Sequence, residues 1–263
     1  MTSLVTVEQC QGYAVVRLNR PEKKNAQNRA ARRDLLAALT SLRAECRAIV
    51  LTGCGDSFCS GVDLKEARAD AEAAIAPDPR SDWIEVLIAI REHPAVFIAA
   101  VNGLALGGGA TLVSVCDLAV AADEAEIGMP EIGFGAYPQF SGPGAQIQLT
   151  AKRAAWLVLT AQRIDGRTAE AWGMVNRSVP LTGLMDEADR LARMVSLFDA
   201  VALAESKRAL DAIPASISGW RQSFEYGLSI NARIRSLSAG QDEGFSRFSA
   251  GKRNPGQGRF KAD

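Results

Sequence analysis

The sequence is poor in histidine, since His93 is the single one among 263 residues. Zinc sites and serine or cysteine triads draw on histidine as a ligand or a general base, so the sequence gives little support to either. The five cysteines are odd in number and fit no zinc-binding spacing. We therefore expect no bound metal, and free thiols of this kind indicate a reducing compartment.

The sequence also lacks an excess of one charge and a long apolar run. Thirty lysines and arginines balance thirty aspartates and glutamates, so no basic field predicts a nucleic acid partner. The apolar stretch 95–106 is shorter than a membrane span and contains Asn102 and Gly103. The N-terminus has no basic segment followed by an apolar core. We expect a cytoplasmic protein with neither nucleic acid nor membrane as a partner.

Hydrophobic spacing predicts an α/β core. Alternating residues indicate a hairpin, and short apolar runs are typical of a parallel sheet that is buried on both faces. The strands predicted in this way are Val5–Glu8, Tyr13–Leu18, 48–52, 95–101 and 118–121. The helices predicted between them are 25–44, 83–91 and 110–116.

The pattern changes to helical after about residue 180. The predicted helices there are 184–198, 200–212 and 217 to about 239, and the basic tail from Gly251 is expected to be extended. We therefore divide the chain into an α/β core over 1–195 and a helical C-terminal region over 196–263.

Two turns rich in small residues follow two of the buried strands, at Ser57–Lys65 and Asn102–Gly109. Ligands of α/β proteins bind at this edge of the sheet. Three consecutive glycines, Gly107–Gly109, open a helix and leave backbone N–H groups uncovered, which favours an anion. No Gly-Lys-[Ser/Thr] ending follows, so a nucleotide phosphate loop is disfavoured. A purely structural tight turn is the alternative for the glycines.

Eight short motifs lie in order between about Val15 and Arg253. They are Leu18-Asn-Arg-Pro-Glu-Lys-Lys-Asn-Ala26, Val50-Leu-Thr-Gly53, Phe58-Cys-Ser-Gly-Val-Asp-Leu-Lys65, Ala99-Ala-Val-Asn-Gly103, Gly107-Gly-Gly109, Cys116-Asp-Leu118, Pro130-Glu-Ile-Gly133 and Ala171-Trp-Gly-Met-Val-Asn176. Together they resemble the enoyl-CoA hydratase/isomerase (crotonase) superfamily.

The resemblance implies an α/β fold built as a spiral of ββα units, with a helical C-terminal region that packs homotrimers, often paired as hexamers. It implies an acyl-CoA thioester as substrate and no separate cofactor, because coenzyme A is part of the substrate. The thioester carbonyl would lie between the backbone N–H groups of Val62 and Gly108.

The same resemblance implies residues that hold coenzyme A. By motif position, Asn25, Ala26 and Lys65 would lie near the adenine and the ribose phosphate. Lys252 would approach a phosphate from a neighbouring subunit, although its spacing from Phe248 is one residue longer than in most relatives.

The chain departs from the family at one of two catalytic positions. Hydratases of the family carry two glutamates that share the addition of water. Glu131 keeps the second position, whereas Thr111 stands at the first. A hydroxyl can position a water but cannot act as a base near neutral pH. We interpret Glu131 as the single acid/base, and we expect burial to raise its pKa.

The loop after Glu131 also departs from the family, in which Pro-Gly-x-Gly-Gly-Thr-Gln is usual. Here it reads Gly133-Phe-Gly-Ala-Tyr-Pro-Gln-Phe-Ser-Gly-Pro-Gly144. Two interpretations of Tyr137 and Phe140 stay open. They either narrow the acyl pocket, as an aromatic or branched acyl group would need, or serve as packing residues.

These features favour an acyl-CoA lyase or isomerase that stabilises a thioester enolate, with Glu131 as its only acid/base. Three alternatives stay open. The chain could be a hydratase in which Thr111 holds the water, or a hydratase-lyase of a hydroxycinnamoyl-type CoA thioester. It could also be a catalytically silent acyl-CoA-binding protein that kept the N–H pair and lost one carboxylate.

Overall fold

The computed structural model describes residues 3–74, 82–216 and 219–252. The strands form two sheets, one of six strands and one of three. Their bounds are β1 Val5–Gln9, β2 Tyr13–Leu18, β3 Ala48–Gly53, β4 Ser57–Cys59, β5 Val96–Val101, β6 Leu104–Leu106, β7 Leu118–Ala122, β8 Ile127–Gly128 and β9 Arg177–Val179.

The larger sheet has the strand order β1-β2-β3-β5-β7-β9. β1 and β2 form the expected antiparallel hairpin, in which Val5 pairs with Leu18, and the remaining pairs are parallel. Every residue of β3 is buried. The apolar runs predicted at 48–52, 95–101 and 118–121 are therefore the interior strands of this sheet, as their composition indicates.

The smaller sheet contains β4, β6 and β8, all parallel. Each of these strands follows an interior strand of the larger sheet after a short turn, so the chain changes sheets three times in the same way. A helical segment follows each of these strands. This arrangement is the expected spiral of ββα units.

The helices lie around the sheets. Their bounds are α1 Arg29–Leu42, α2 Leu64–Glu72, α3 Trp83–Arg91, α4 Gly108–Val115, α5 Ser141–Gln148, α6 Ala151–Thr160, α7 Gly166–Trp172, α8 Leu184–Ser196, α9 Ala200–Ser216, α10 Trp220–Leu237 and α11 Gly240–Ser249. No helix within the three described ranges is long and apolar enough to cross a lipid bilayer.

The first helix is shorter than the predicted 25–44. Lys24 and Asn25 adopt left-handed backbone angles, with φ of 50° and 56°, which end the preceding turn. Asn28 then caps α1, because its side chain accepts a hydrogen bond from the N–H of Ala31 at 2.9 Å. The predicted helix start at Asn25 is therefore wrong by four residues.

The predicted C-terminal helices are present as α8, α9 and α10, and α11 is an addition that the sequence pattern did not indicate. Residues 217 and 218, which we placed at the start of the third helix, and most of the basic tail lie outside the described residues.

A buried ion pair attaches α9 to the core. The Nζ atom of Lys207 lies 2.9 Å from Oδ2 of Asp117, and it donates hydrogen bonds to the carbonyl oxygens of Ile90 and Ala95 at 3.0 and 3.1 Å. Burial lowers the pKa of Lys207, and Asp117 opposes this effect. The Cys116-Asp-Leu118 motif thus supplies the anion that holds the C-terminal helices against the sheet.

The single histidine is part of the core. His93 is 2% exposed, its Nε2 lies 3.1 Å from the carbonyl oxygen of Leu39, and its Nδ1 accepts a hydrogen bond from the N–H of Ala95. This pattern fits a neutral ring with the proton on Nε2. Burial lowers the pKa of His93 to about 4, and the nearby charge of Lys207 acts in the same direction.

Because His93 is buried and neutral, we predict that the protein loses stability in mild acid. Between pH 6.5 and about pH 4 the unfolded chain binds a proton that the folded chain does not, so the free energy of unfolding decreases as the pH falls. The loss is about 3 kcal/mol over this window, from 1.36 kcal/mol per pKa unit. Because the chain has one histidine, its imidazole NMR signals report the pKa directly. A titration midpoint near 6.5 in the folded protein would contradict the burial.

Candidate active site

The turn that opens α4 requires glycine at two positions. Gly107 has a φ of +51°, a conformation that L side chains rarely adopt. A Cβ atom on Gly109 would lie 1.9 Å from the carbonyl oxygen of Cys59. The glycines thus allow the start of α4 to approach the end of β4 at backbone contact distance.

The segment after β4 presents the N–H of Val62 toward this turn. The neighbouring carbonyl of Gly61 accepts the N–H of Gln27 at 2.8 Å, and the N–H of Asp63 donates to the carbonyl of Gln27 at 3.1 Å. Because N–H groups alternate in direction along an extended segment, the N–H of Val62 points away from Gln27.

The N–H groups of Val62 and Gly108 lie side by side. A Cβ atom on Gly108 would be 3.3 Å from the nitrogen of Val62, and one on Gly61 would be 3.0 Å from the nitrogen of Gly108. In the part of the chain that the structure describes, neither N–H has a protein acceptor. The N-terminus of α4 adds a positive partial charge here. Two such donors are the arrangement that stabilises a developing oxyanion.

Glu131 lies on the other side of the glycine turn. It belongs to a short 3₁₀ helix, Pro130–Phe134, that follows β8. Its Oε1 would be 2.8 Å from a Cβ atom on Gly107, and it accepts a hydrogen bond from the hydroxyl of Ser141 at 3.4 Å. Its Oε2 is buried and has no partner among the described residues. Burial raises the pKa of Glu131, and the Ser141 hydroxyl opposes this effect.

Thr111 lies one helical turn after Gly107 and is 3% exposed. Its hydroxyl donates a hydrogen bond of 3.1 Å to the carbonyl oxygen of Gly107. The proton of this hydroxyl is therefore committed to the backbone, and the oxygen keeps capacity to accept a hydrogen bond. Thr111 can orient a water but cannot take a proton from it.

An open cleft of about 470 Å³ lies beside Val62. It includes Ala26 and Lys65, two of the residues expected near coenzyme A. The acidic groups of this cleft are paired with arginine, as between Asp63 and Arg20 at 2.6 Å. Other residues of its lining include Lys23, Asn28, Ser60, Leu64 and Glu66.

The charges at this cleft leave a basic surface. Glu66 is paired with Arg29 and Arg32, at 3.8 and 3.6 Å. Lys23 and Lys65 are exposed, and neither has an ion-pair partner among the residues described. Two exposed ammonium groups in the lining of one cleft attract phosphate.

Asn25 and Lys252, which are also expected near coenzyme A, do not line this cleft. The side chain of Asn25 is fully buried, and it donates hydrogen bonds to the carbonyl oxygens of Cys54 and Ser57 at 2.9 and 2.7 Å. Lys252 is exposed beyond α11 and is not part of the cleft lining. Its proposed approach from a neighbouring subunit stays a prediction.

Tyr137 and Phe140 lie at the start of α5, next to Ser141. Tyr137 is half exposed, it lies over Gly142, and its hydroxyl accepts a hydrogen bond from Gln146 at 2.9 Å. Phe140 packs against the hydrophobic core. These contacts fit the packing interpretation for Phe140, and a pocket role for either residue stays a prediction.

The sequence did not indicate Ser141, because its hydrogen bond to Glu131 joins residues that are ten positions apart. It also missed Asn102, whose Oδ1 accepts the N–H of Gly53 at 3.2 Å and whose Nδ2 donates to the carbonyl of Gly55 at 3.0 Å. Asn102 lies in one of the quoted motifs, so the signal was present. The pattern alone did not tell a structural asparagine from a binding one.

Comparison with known proteins identifies the family of α/β proteins to which this chain belongs. The family model described as enoyl-CoA hydratase/isomerase matches residues 8–222. A probable enoyl-CoA hydratase of Mycobacterium tuberculosis is 36% identical over 219 residues, which are 81% of this chain and 84% of that protein. A hydroxycinnamoyl-CoA hydratase-lyase of Pseudomonas fluorescens is 32% identical over 253 residues, 93% of this chain and 91% of that protein.

Solved structures agree on the fold. An enoyl-CoA hydratase of Mycobacterium smegmatis superposes with a TM-score of 0.84 at 28% identity, over 95% of this chain and 98% of that one. An enoyl-CoA hydratase of Mycobacterium marinum gives 0.84 at 29% identity, over 96% and 98%. The chain belongs to the enoyl-CoA hydratase/isomerase family, has the crotonase fold, and is an enzyme that acts on acyl-CoA.

The hydrogen bond between Ser141 and Glu131 predicts a measurable pKa change. Ser141→Ala removes a donor that favours the charged carboxylate, so the pKa of Glu131 should rise further above its ordinary value. Carboxyl ¹³C chemical shifts of glutamate-labelled protein measure it. Ser114→Ala is the matched control, because the buried hydroxyl of Ser114 faces Gly144 instead. An unchanged or lowered pKa in Ser141→Ala would exclude this contact.

Proposed function

We propose that this enzyme is an acyl-CoA lyase or isomerase that forms a thioester enolate. In this proposal the N–H groups of Val62 and Gly108 are the oxyanion hole, and Glu131 is the single acid/base. The observation that carries the proposal is the buried Oε2 of Glu131, which has no partner within the described part of the chain and lies beside the turn that presents the Gly108 N–H.

The chemistry follows from these groups. Glu131 takes a proton from the α-carbon, and the electron pair of the broken C–H bond delocalises onto the thioester oxygen. Each preorganised N–H donor at that oxygen typically lowers the barrier by about 3 kcal/mol. A carboxyl group with a raised pKa then returns the proton, either to the α-carbon or to the γ-carbon. Return to the γ-carbon moves a 3,4 double bond into conjugation with the thioester.

The basic cleft supports coenzyme A as the carrier of the acyl group. It adjoins Val62, so a ligand whose thioester oxygen contacts the Val62 N–H can extend its phosphates toward Lys65 and Lys23. Ala26, which the family resemblance places near the adenine, lines the same cleft. We assign Lys252 to the same phosphates from a neighbouring copy.

We propose a homotrimer or hexamer on the family resemblance, and the exposed apolar side chains of the C-terminal helices support an interface between copies. Five large apolar side chains among the described residues of α9, α10 and α11 are more than half exposed in the single chain, namely Leu210, Phe224, Leu228, Leu237 and Phe245. Soluble proteins rarely leave large contiguous apolar surfaces open to water, so these residues fit an interface between copies.

A second candidate is a hydratase-lyase of an aromatic CoA thioester. It is favoured by the relative from Pseudomonas fluorescens, whose name states this activity and which this chain matches over almost its whole length. Thr111 suits this reaction, since its hydroxyl oxygen can accept a hydrogen bond from a water. A panel of crotonyl-CoA, 3-hexenoyl-CoA and 4-hydroxycinnamoyl-CoA separates the candidates by which ester is consumed.

Glu131→Gln tests the acid/base assignment. Solvent deuterium should enter the α-carbon of butyryl-CoA in the wild type, and the variant should lose at least about a hundredfold of that exchange rate, because the amide cannot accept the proton. Butyryl-CoA should bind both proteins within about twofold, since the substitution keeps the size of the side chain.

Glu126→Gln is the matched control for this experiment. Glu126 is exposed and paired with Arg163 at 2.5 Å, away from the glycine turn, so the variant should exchange like the wild type. Equal exchange in Glu131→Gln and the wild type would remove Glu131 from the mechanism. Binding without any exchange in the wild type would favour the catalytically silent protein.

The assembly is tested by mass in solution. Light scattering should give about 84 kDa, three times the 28.0 kDa chain, or twice that value for a hexamer. Leu228→Glu should lower the mass, because it places a charge among apolar side chains at the proposed interface. Arg221→Ala on the same helix is exposed and should leave it unchanged. A 28.0 kDa wild type would contradict the proposal.

A further inference from the structure

Trp83 lies next to the N–H pair although no motif points to it. It is the first residue of α3, which Asp82 caps by accepting the N–H of Ile84 at 2.7 Å. The side chain of Trp83 is 3% exposed. Its Cζ2 atom would be 3.2 Å from a Cβ atom on Gly108, about as close as the nitrogen of Val62. The indole and the Val62 N–H therefore approach the same point.

The indole N–H of Trp83 is buried and has no hydrogen-bond acceptor among the described residues. A buried tryptophan N–H usually finds a partner, since leaving the donor unpaired costs free energy. In an indole ring Nε1 and Cζ2 are both bonded to Cε2, and their hydrogens leave the same edge. The unpaired donor thus lies on the edge that faces Gly108.

Other buried donors without an acceptor have different surroundings. The hydroxyl of Ser114 faces Gly144 at the start of α5, and the Nε of Arg32 belongs to a guanidinium paired with Glu66 at 3.6 Å. Neither residue is among those that lie nearest to the N–H pair. Trp83 combines an unpaired donor with contact to a residue of that pair.

We propose that the indole N–H of Trp83 donates a hydrogen bond to an oxygen atom on the acyl group, and that the enzyme therefore prefers β-oxygenated acyl-CoA thioesters. This inference rests on the proposed function, because the N–H pair fixes the thioester. The Gly108 N–H holds the thioester oxygen, and the indole edge contacts the same residue. An acyl oxygen that accepts the indole N–H while the thioester oxygen is held at Gly108 must be attached close to the thioester. A β-keto or β-hydroxyl oxygen has this position.

The chemistry of the donor narrows the class of ligand. An indole N–H carries no charge and has no acceptor atom, so it suits a neutral carbonyl or hydroxyl oxygen. A plain hydrocarbon chain would leave the donor unpaired in the complex as well. A site built to hydrogen-bond an oxygen discriminates against the analogue that lacks it, because its polar group is then left without a partner.

The test compares two CoA esters of equal chain length, acetoacetyl-CoA and butyryl-CoA, by calorimetric titration of the full-length protein. The wild type should bind acetoacetyl-CoA more tightly. Trp83→Phe keeps most of the ring and removes the N–H, so it should weaken acetoacetyl-CoA binding by about three- to tenfold, as for one hydrogen bond, and change butyryl-CoA binding by less than about twofold. Trp156→Phe, on a partly exposed tryptophan of α6, should change neither affinity.

Each outcome decides the proposal. Equal loss for both esters in Trp83→Phe means that the ring packs without donating, and no loss means that the donor is unused; either overturns the inference. Equal wild-type affinity for the two esters overturns it without any variant. If the wild type binds neither ester, the proposed function fails, and this inference fails with it.

A second measurement observes the donor itself. The chain has four tryptophans, so the indole N–H signals in a ¹⁵N correlation spectrum are few, and the signal lost in Trp83→Phe assigns Trp83. Its proton should move downfield on addition of acetoacetyl-CoA and much less with butyryl-CoA. Identical shifts with both ligands would contradict the hydrogen bond.

Discussion

The site depends on one close backbone contact, between the start of α4 and the segment that follows β4. A Cβ atom on Gly109 would lie 1.9 Å from the carbonyl oxygen of Cys59, and one on Gly61 would lie 2.8 Å from the carbonyl oxygen of Leu106. Side chains at these positions would force the segments apart, and the N–H groups of Val62 and Gly108 would no longer face one point. The constraint is steric and needs glycine, whereas the donors are backbone groups, so any side chain that fits the space can stand at position 62.

Two asparagine side chains support this backbone contact by binding carbonyl groups of the adjacent turn. The turn between β3 and β4 leads the chain into the segment that carries Val62, and its carbonyl groups cannot all pair with other backbone groups. Asn25 donates to the carbonyl of Ser57 at 2.7 Å, and Asn102 donates to that of Gly55 at 3.0 Å. The carbonyl of Ser57 is buried, so its pairing with Asn25 meets a requirement of burial, whereas the bond from Asn102 to Gly55 lies at the surface. Asn25, which its motif associates with coenzyme A, can thus act on the ligand indirectly, because its side chain holds the backbone turn in place.

The sequence predicted the large sheet well because its interior strands are long, apolar runs. It did not predict β4, β6 and β8 of the smaller sheet or β9 of the larger one, which have three, three, two and three residues, too few for an alternating pattern. The start of α1 was missed because the residue types of Lys24 and Asn25 do not reveal their left-handed backbone angles. The N–H pair and Glu131 came from the family resemblance. Ser141 and Trp83 could not be found, because their contacts join segments distant in sequence.

An oxyanion hole does not select a reaction, since it stabilises the enolate of any acyl thioester to a similar extent. The reaction must therefore be selected by the side chains that contact the glycine turn, Glu131 at Gly107 and Trp83 at Gly108. Glu131 contacts Gly107, and burial raises its pKa, which suits the acid/base role that we propose for it. Thr111 supplies no second base, which disfavours the concerted addition of water by two carboxyl groups. Trp83 contacts Gly108 and offers a neutral donor. Under our two proposals, the carboxylate therefore sets which bonds change and the indole selects among acyl groups.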